Sequence, residues 1–137
     1  MGIRITKTLL DNYRKTKKEI PTLQMELEMM RQEDNGIGSS VIMDYRKGYP
    51  QPQGITGFDQ KRYDYRKHVL EDKIARCKAV EEWIEAIEDG QTRYVFKTYY
   101  LEGMTWEKIA SKTGYSRQPD YPRLMIRDKY LKEKGIK

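Results

Sequence analysis

Apolar residues recur at alternating spacings of four and three along the first thirty residues. The recurring positions are Leu9, Tyr13, Thr16, Ile20, Leu23, Leu27 and Met30. This is the heptad pattern of a helix that packs one face against a partner helix. Pro21 interrupts the pattern, because proline cannot donate the backbone hydrogen bond of a helix interior. We therefore predict an amphipathic helix over residues 1–34, either kinked or divided in two at Pro21, that ends at Asp34-Asn35-Gly36.

A second apolar stripe predicts a central long helix over residues 58–89, with Gly90 as its stop. The stripe is formed by Leu70, Ile74, Cys77, Val80, Ile84 and Ile87, with Trp83 beside it. The position of Cys77 on this stripe indicates a buried small hydrophobe rather than a reactive thiol. Residues 35–57 lie between the two patterns, are rich in Gly and Pro, and predict a loop. The apolar stripes of the first and the central helix, here called the two seams, predict an antiparallel helical pair that closes within one chain or across a homodimer.

The apolar pattern shortens after Gly90. A helix is predicted from Gln91 to Leu101, and its inner face carries Val95, Phe96, Tyr99 and Tyr100. Gly103 ends it, and Thr105 is a suitable N-cap for a short helix over 106–113. The inward side of that short helix carries Ile109 and Ala110, and Gly114 breaks it. The fold class predicted for the whole chain is all-α.

A further amphipathic stretch completes the chain. We expect Leu124, Met125 and Leu131 on its inner side, and Arg123, Arg127, Lys129 and Lys132 largely on the other. Two short helices joined by a tight turn with glycine, the second rich in Arg and Lys, form a helix-turn-helix pattern. The sequence therefore predicts a helix-turn-helix domain over residues 91–137.

Net charge supports a polyanionic partner for this last segment. The chain of 137 residues has 27 Lys and Arg against 21 Asp and Glu, a net charge of +6. Residues 1–34 hold seven basic and six acidic side chains, residues 35–90 hold nine and ten, and residues 91–137 hold eleven and five. The whole excess therefore lies on the predicted helix-turn-helix, as expected for a surface that binds nucleic acid.

Residues 99–117, YYLEGMTWEKIASKTGYSR, resemble region four of bacterial sigma factors. The layout, with a helical part before this module, is similar to small phage and prophage regulators of the ArpU/RinA type. The resemblance covers about residues 91–131. It implies a cytoplasmic DNA-binding regulator of phage genes in a bacterial host, with RNA polymerase as a further expected partner.

The sequence departs from the sigma-like pattern after the turn. Four and seven positions after Ser116 the family has inward apolar residues, but here those positions hold Asp120 and Arg123. One inserted residue would restore the pattern, and Pro122 would break a helix that began at Ser116. We therefore place the recognition helix later, capped by Asp120, with Pro122 near its start. This lengthens the turn and leaves open a degenerate module that is used for protein–protein contacts.

The function predicted from these features is duplex DNA binding. Arg pairs bidentately with guanine and Gln with adenine, whereas Lys more often contacts phosphates. The candidates for base contact are Arg117, Gln118, Tyr121, Arg123 and Arg127. The candidates for phosphate contact are Lys108, Lys112, Ser116, Lys129 and Lys132. A phage DNA-packaging adaptor resembling a small terminase subunit is the alternative, and a ring of many subunits would distinguish it.

Few residues point to catalysis, a metal or a membrane. His68 is the one histidine and lies on a charged helix, where we expect a solvated surface residue. The carboxylates between Glu81 and Asp89 are typical of a solvated face. The spacings of Cys and His match no metal site, and we see no phosphate-binding glycine loop. No apolar run approaches the length of about 20 residues that spans a bilayer. We therefore expect no enzyme, no cofactor, no metal and no membrane partner.

Overall fold

A computed structural model describes the backbone of residues 2–40 and 59–137 and the side chains of residues 2–32 and 59–137. The regular secondary structure of the described residues is helical, without a strand, which confirms the all-α prediction. The helices are α1 (Lys7–Asp11), α2 (Tyr13–Ser40), α3 (Gln60–Glu85), α4 (Gly90–Phe96), α5 (Trp106–Thr113) and α6 (Lys129–Glu133). Two π-helical segments accompany them: the first π segment (Lys97–Leu101) continues α4, and the second π segment (Pro122–Asp128) leads into α6.

The chain divides into two compact units. The terminal unit comprises Met1–Lys17 with Ile74–Lys137, and the helical-pair unit comprises Lys18–Lys73. The helices α2 and α3 each contribute to both units. Most of the predicted loop, residues 41–57, lies outside the described residues.

The N-terminal helix differs from its prediction at both ends. A break separates α1 from α2 at Asn12, whose φ of −91° and ψ of 0° are not helical. Thr6 caps α1 by accepting a hydrogen bond of 3.1 Å from the backbone N–H of Leu9. No division occurs at Pro21, which lies inside the single helix α2. That helix continues to Ser40, beyond the end predicted at residues 34–36.

The two seams pair within one chain in the helical-pair unit. Leu27, Met30 and Leu70 form a buried cluster, against which Ile20, Leu23 and Tyr63 pack. Two ion pairs of 3.0 Å connect the helices, Glu19–Lys73 and Glu26–Arg66. The pairing is antiparallel, because the later residue of α2 contacts the earlier residue of α3. These ion pairs are partly exposed and contribute little, so apolar burial supplies most of the stabilisation. The first predicted alternative, closure within the chain, is therefore present, and a homodimer stays a prediction.

The second seam continues into the terminal unit with one exception. Cys77, Val80, Ile84 and Ile87 are at most 3% exposed, which confirms the prediction for them, whereas Ile74 is 40% exposed and does not belong to the buried stripe.

The end of the central helix also differs from its prediction. α3 ends at Glu85, and Gly90 is the first residue of α4 rather than a helix stop. The reason is a cap between them: the carboxylate of Asp89 accepts a 2.9 Å hydrogen bond from the N–H of Thr92. Such a cap satisfies a backbone donor that would otherwise lack a partner in the first turn of the new helix.

A second apolar cluster holds the C-terminal helices together. Val95, Ile109 and Ile126 are buried at its centre, and they come from α4, α5 and the second π segment. The residues packed around them are Tyr99, Met104, Trp106, Tyr115 and Tyr121. Because each element supplies one central side chain, the relative placement of these short helices depends on this shared core.

Candidate nucleic-acid interface

Local chemistry sets both ends of α5. The hydroxyl of Thr105 accepts a 3.2 Å hydrogen bond from the N–H of Lys108, as an N-cap does. At the other end, Gly114 adopts φ +91°, a left-handed conformation that strains residues with a Cβ. Ile109 and Ala110 are fully buried between these ends. These features of α5 were all predicted, and its bounds, Trp106–Thr113, agree with the prediction.

Two successive tight turns connect α5 to the next helical segment. The N–H of Gln118 donates to the carbonyl of Tyr115 at 2.7 Å, and the N–H of Tyr121 donates to the carbonyl of Gln118 at 2.9 Å. The rings of Tyr115 and Tyr121 stack at 4.2 Å across these turns. Ser116, Arg117 and Gln118 lie between the two tyrosines in the sequence, and all three are exposed. The connection is therefore a longer, braced turn, as the inserted residue predicted.

The second helical segment begins where the sequence placed it. Pro122 is its first residue, and the carbonyl of Asp120 accepts from the N–H of Leu124 at 2.9 Å. The carboxylate of Asp120, however, does not cap the helix and instead accepts from the guanidinium of Arg123 at 3.3 Å. The predicted side-chain cap is thus replaced by a local ion pair with Arg123, whose side chain is partly exposed.

The second π segment buries other residues than the sequence predicts. Leu124 and Met125, which were expected inside, are 46% and 49% exposed, whereas Ile126 and Arg127 are 8% and 7% exposed. A π-helix forms i→i+5 hydrogen bonds, so each of its turns holds more residues than an α-helical turn and its buried positions shift along the sequence. The buried residues of the segment are Pro122, Ile126 and Arg127. Leu131, which was also expected inside, is buried in α6. The α-helical period assumed from the sequence was therefore wrong for this segment.

Arg127 is a structural residue in this conformation. Its Nε donates to Asp128 at 2.7 Å and its Nη1 donates to the hydroxyl of Tyr100 at 3.3 Å. The guanidinium carbon lies 5.4 Å from the ring centre of Tyr99 and 5.1 Å from that of Trp106, and these two rings stack at 4.1 Å. A buried guanidinium held in this way is not presented to a base edge. We therefore remove Arg127 from the candidates for base contact.

The environment of Tyr100 keeps its hydroxyl protonated. Burial raises the pKa of Tyr100 to about 12, although the nearby charge of Arg127 acts in the opposite direction. At neutral pH the hydroxyl is therefore neutral and accepts the hydrogen bond from Arg127 without forming an ion pair. The only sequence signal for this aromatic enclosure was the concentration of Tyr99, Tyr100 and Trp106 on both sides of Gly103.

The remaining predicted site residues fall into two groups. Arg117, Gln118, Lys108, Lys112, Ser116, Lys129 and Lys132 are exposed, while Tyr121 and Arg123 are partly buried. Within the part of the chain that the structure describes, Arg117 and the four lysines form no ion pair. Lys108 and Lys112 lie four residues apart on α5, so they share one face of that helix. We call this set of exposed residues on α5, the turn and α6 the basic surface.

The titratable residues outside the basic surface include His68, Cys77, Glu81 and Tyr13. His68 is exposed and Cys77 is buried, both as predicted. The carboxylate of Glu81 accepts hydrogen bonds from the hydroxyl of Tyr13 and from Lys17, the latter at 2.9 Å. Burial raises the pKa of Glu81, but the two hydrogen bonds together lower it by more than burial raises it. The pKa of Glu81 therefore lies below its ordinary value. Burial and the carboxylate raise the pKa of Tyr13.

Residues 2–32 and 59–137 contain no group of three His, Cys, Asp or Glu side chains that could hold a metal ion. In the described backbone we find no helix with the length and apolar character that crossing a membrane requires.

Comparison of the chain with protein-family models, with curated proteins and with solved structures finds no match in any of the three.

Proposed function

We propose that the chain is a phage or prophage transcriptional regulator that binds duplex DNA through its C-terminal helices. In this proposal α5, the braced turn and the second π segment act as a helix-turn-helix. The supporting observation is the set of exposed cations without a carboxylate partner in the described structure: Lys108 and Lys112 on α5 and Arg117 in the turn. Unpaired cations on a well-packed module can exchange their counterions for phosphates without first breaking internal ion pairs.

The roles of individual residues follow from exposure. Arg117 and Gln118 lie at the exposed turn and are our first candidates for base contact. Arg123 can reach a base or phosphate only after leaving Asp120, so we assign it a weaker contribution. The lysines of α5 and α6 are assigned to phosphates, since a flexible ammonium acts as a point charge without bidentate geometry. Contact with RNA polymerase rests on the resemblance alone.

The decisive experiment measures duplex binding by fluorescence anisotropy across a range of salt concentrations. Each phosphate contact contributes about 0.9 to the slope of log K against log salt. The double variant Lys108→Gln with Lys112→Gln on α5 should therefore bind more weakly and have a slope shallower by nearly two. The control is Arg62→Gln with Lys67→Gln on α3, where both residues are exposed, and it removes the same charge.

Two results would overturn the proposal. Binding by the Lys108 and Lys112 double variant with the slope of the unmodified chain would show that these cations contact no phosphate. An equal loss in the α3 control would show that net charge, rather than this surface, governs the affinity. Selection of bound fragments from the parent genome then tests sequence specificity, which phosphate contacts alone do not provide.

One observation favours a second use of the same module in protein–protein contact. Leu124 and Met125 are about half exposed and adjacent, although Ile126 beside them is buried. Exposed apolar side chains on a recognition helix can contact a thymine methyl group or can bind protein. In the variant Leu124→Gln with Met125→Gln, weaker DNA binding supports the first use. Unchanged DNA binding together with a lower mass in solution supports the second.

A further inference from the structure

A cleft in the terminal unit lies beside the residues that hold the second π segment in place. It measures about 450 Å³ and is lined by Lys7, Asp11, Arg14, Tyr99, Tyr100 and Arg127 among others. Sites for small ligands commonly have volumes of about 300–1,000 Å³. Three of these side chains are cations and one is an anion, so the lining has an excess of positive charge.

Arg127 retains one donor group for a ligand in this cleft. Its Nε and Nη1 donate to Asp128 and Tyr100, and among the described residues Nη2 has no hydrogen-bond partner. The side chain is only 8% exposed, so this nitrogen is not freely hydrated. A buried donor without a partner is unfavourable by itself, and an anion that accepts from it would remove that penalty.

Gly103 allows Arg14 to contribute a second guanidinium. Gly103 adopts φ +72°, and a Cβ at this position would collide with the guanidinium of Arg14. The side chain of Arg14 therefore lies directly against the backbone of Gly103. Within the described residues Arg14 forms no ion pair or hydrogen bond, which leaves its planar group of donors for a ligand.

We propose that this cleft binds a phosphate group, with Arg14 and Lys7 as the exposed cations and Arg127 as the buried donor. Guanidinium groups match phosphate oxygens because their N–H groups form a planar fork. Asp11 offsets part of the positive charge, but the three cations Lys7, Arg14 and Arg127 still exceed it. The proposal does not rest on DNA binding, since the cleft is assembled by α1, α2 and the first π segment in addition to Arg127.

The experiment titrates the full chain, labelled with ¹⁵N, with inorganic phosphate that replaces chloride at constant ionic strength and pH 7. Backbone amides of α1 and of residues 99–103, and the Nε–H of Arg127, should shift and reach saturation. Two charge-assisted hydrogen bonds correspond to a Kd on the order of 1 mM. Arg14→Gln should weaken binding about tenfold, which is the loss of one such bond. Arg4→Gln is the matched control, because Arg4 is also exposed but does not line the cleft.

The results separate the proposal from its alternatives. Linear shifts without saturation, or equal weakening by Arg14→Gln and Arg4→Gln, would overturn it. A second arm repeats the anisotropy titration of duplex DNA with phosphate in place of chloride at equal ionic strength. Competition identifies a phosphate of the DNA backbone as the occupant, and independent binding identifies a phosphorylated small molecule. The first arm decides the phosphate site even if the chain binds no DNA.

Discussion

The burial of Arg127 gives the most direct test of the structure. The variant Arg127→Ala removes a partly buried ion pair with Asp128, a hydrogen bond to Tyr100 and the contacts with two aromatic rings. The ion pair contributes at most about 1 kcal/mol and the hydrogen bond about 0.5–1.5 kcal/mol. A partly desolvated cation over an aromatic ring adds about 1 kcal/mol for each ring.

The sum predicts that Arg127→Ala lowers the free energy of unfolding by roughly 3 kcal/mol. Arg117→Ala is the control. It removes the same side chain from an exposed position and should change stability by less than about 0.5 kcal/mol. Arg127→Lys should fall between the two, because an ammonium keeps the charge but loses the planar fork.

Unfolding in urea is followed by tryptophan fluorescence. Trp83 and Trp106 both belong to the terminal unit, so the signal reports the unit that contains Arg127. Coincidence of the fluorescence and far-ultraviolet circular dichroism transitions tests whether unfolding is two-state. An Arg127→Ala protein as stable as Arg117→Ala would show that the guanidinium is not held inside the aromatic enclosure, and the reasoning would fail.

Three further predictions concern local features of the terminal unit. Thr105→Ala should destabilise the protein by about 1 kcal/mol in urea unfolding, and Thr105→Ser should not, because serine keeps the capping hydroxyl. Gly114→Ala should lower stability by about 1–2 kcal/mol through its left-handed backbone alone, since a Cβ there meets no neighbour; an unchanged midpoint would contradict that conformation. Glu81 has a lowered pKa, so its contribution is complete above the ordinary carboxyl value of about 4.3 and is lost as the pH falls through the folded value. Glu81→Gln should therefore lose less stability than the unmodified chain between about pH 5 and pH 3, and parallel pH profiles would refute this.

Local chemistry determined the parts of the fold that were predicted correctly. The ends of α5 depend on a capping hydroxyl at Thr105 and a left-handed Gly114, and both effects act within a few residues. The apolar seams were also readable, because helical periodicity places Leu27, Met30 and Leu70 on faces that must be buried. The charge excess after residue 90 is a property of composition and needs no fold.

The tertiary structure decided the features that depend on hydrogen-bond register and on partners distant in the chain. The second π segment exposes Leu124 and Met125 and buries Arg127, an exchange that an α-helical period does not anticipate. The cleft joins Lys7 and Arg14 to residues from Tyr99 onward, far away in the sequence, so no local pattern contains it. Burial of a charged side chain is favourable only when partners surround it, and for Arg127 those partners meet only in the folded chain.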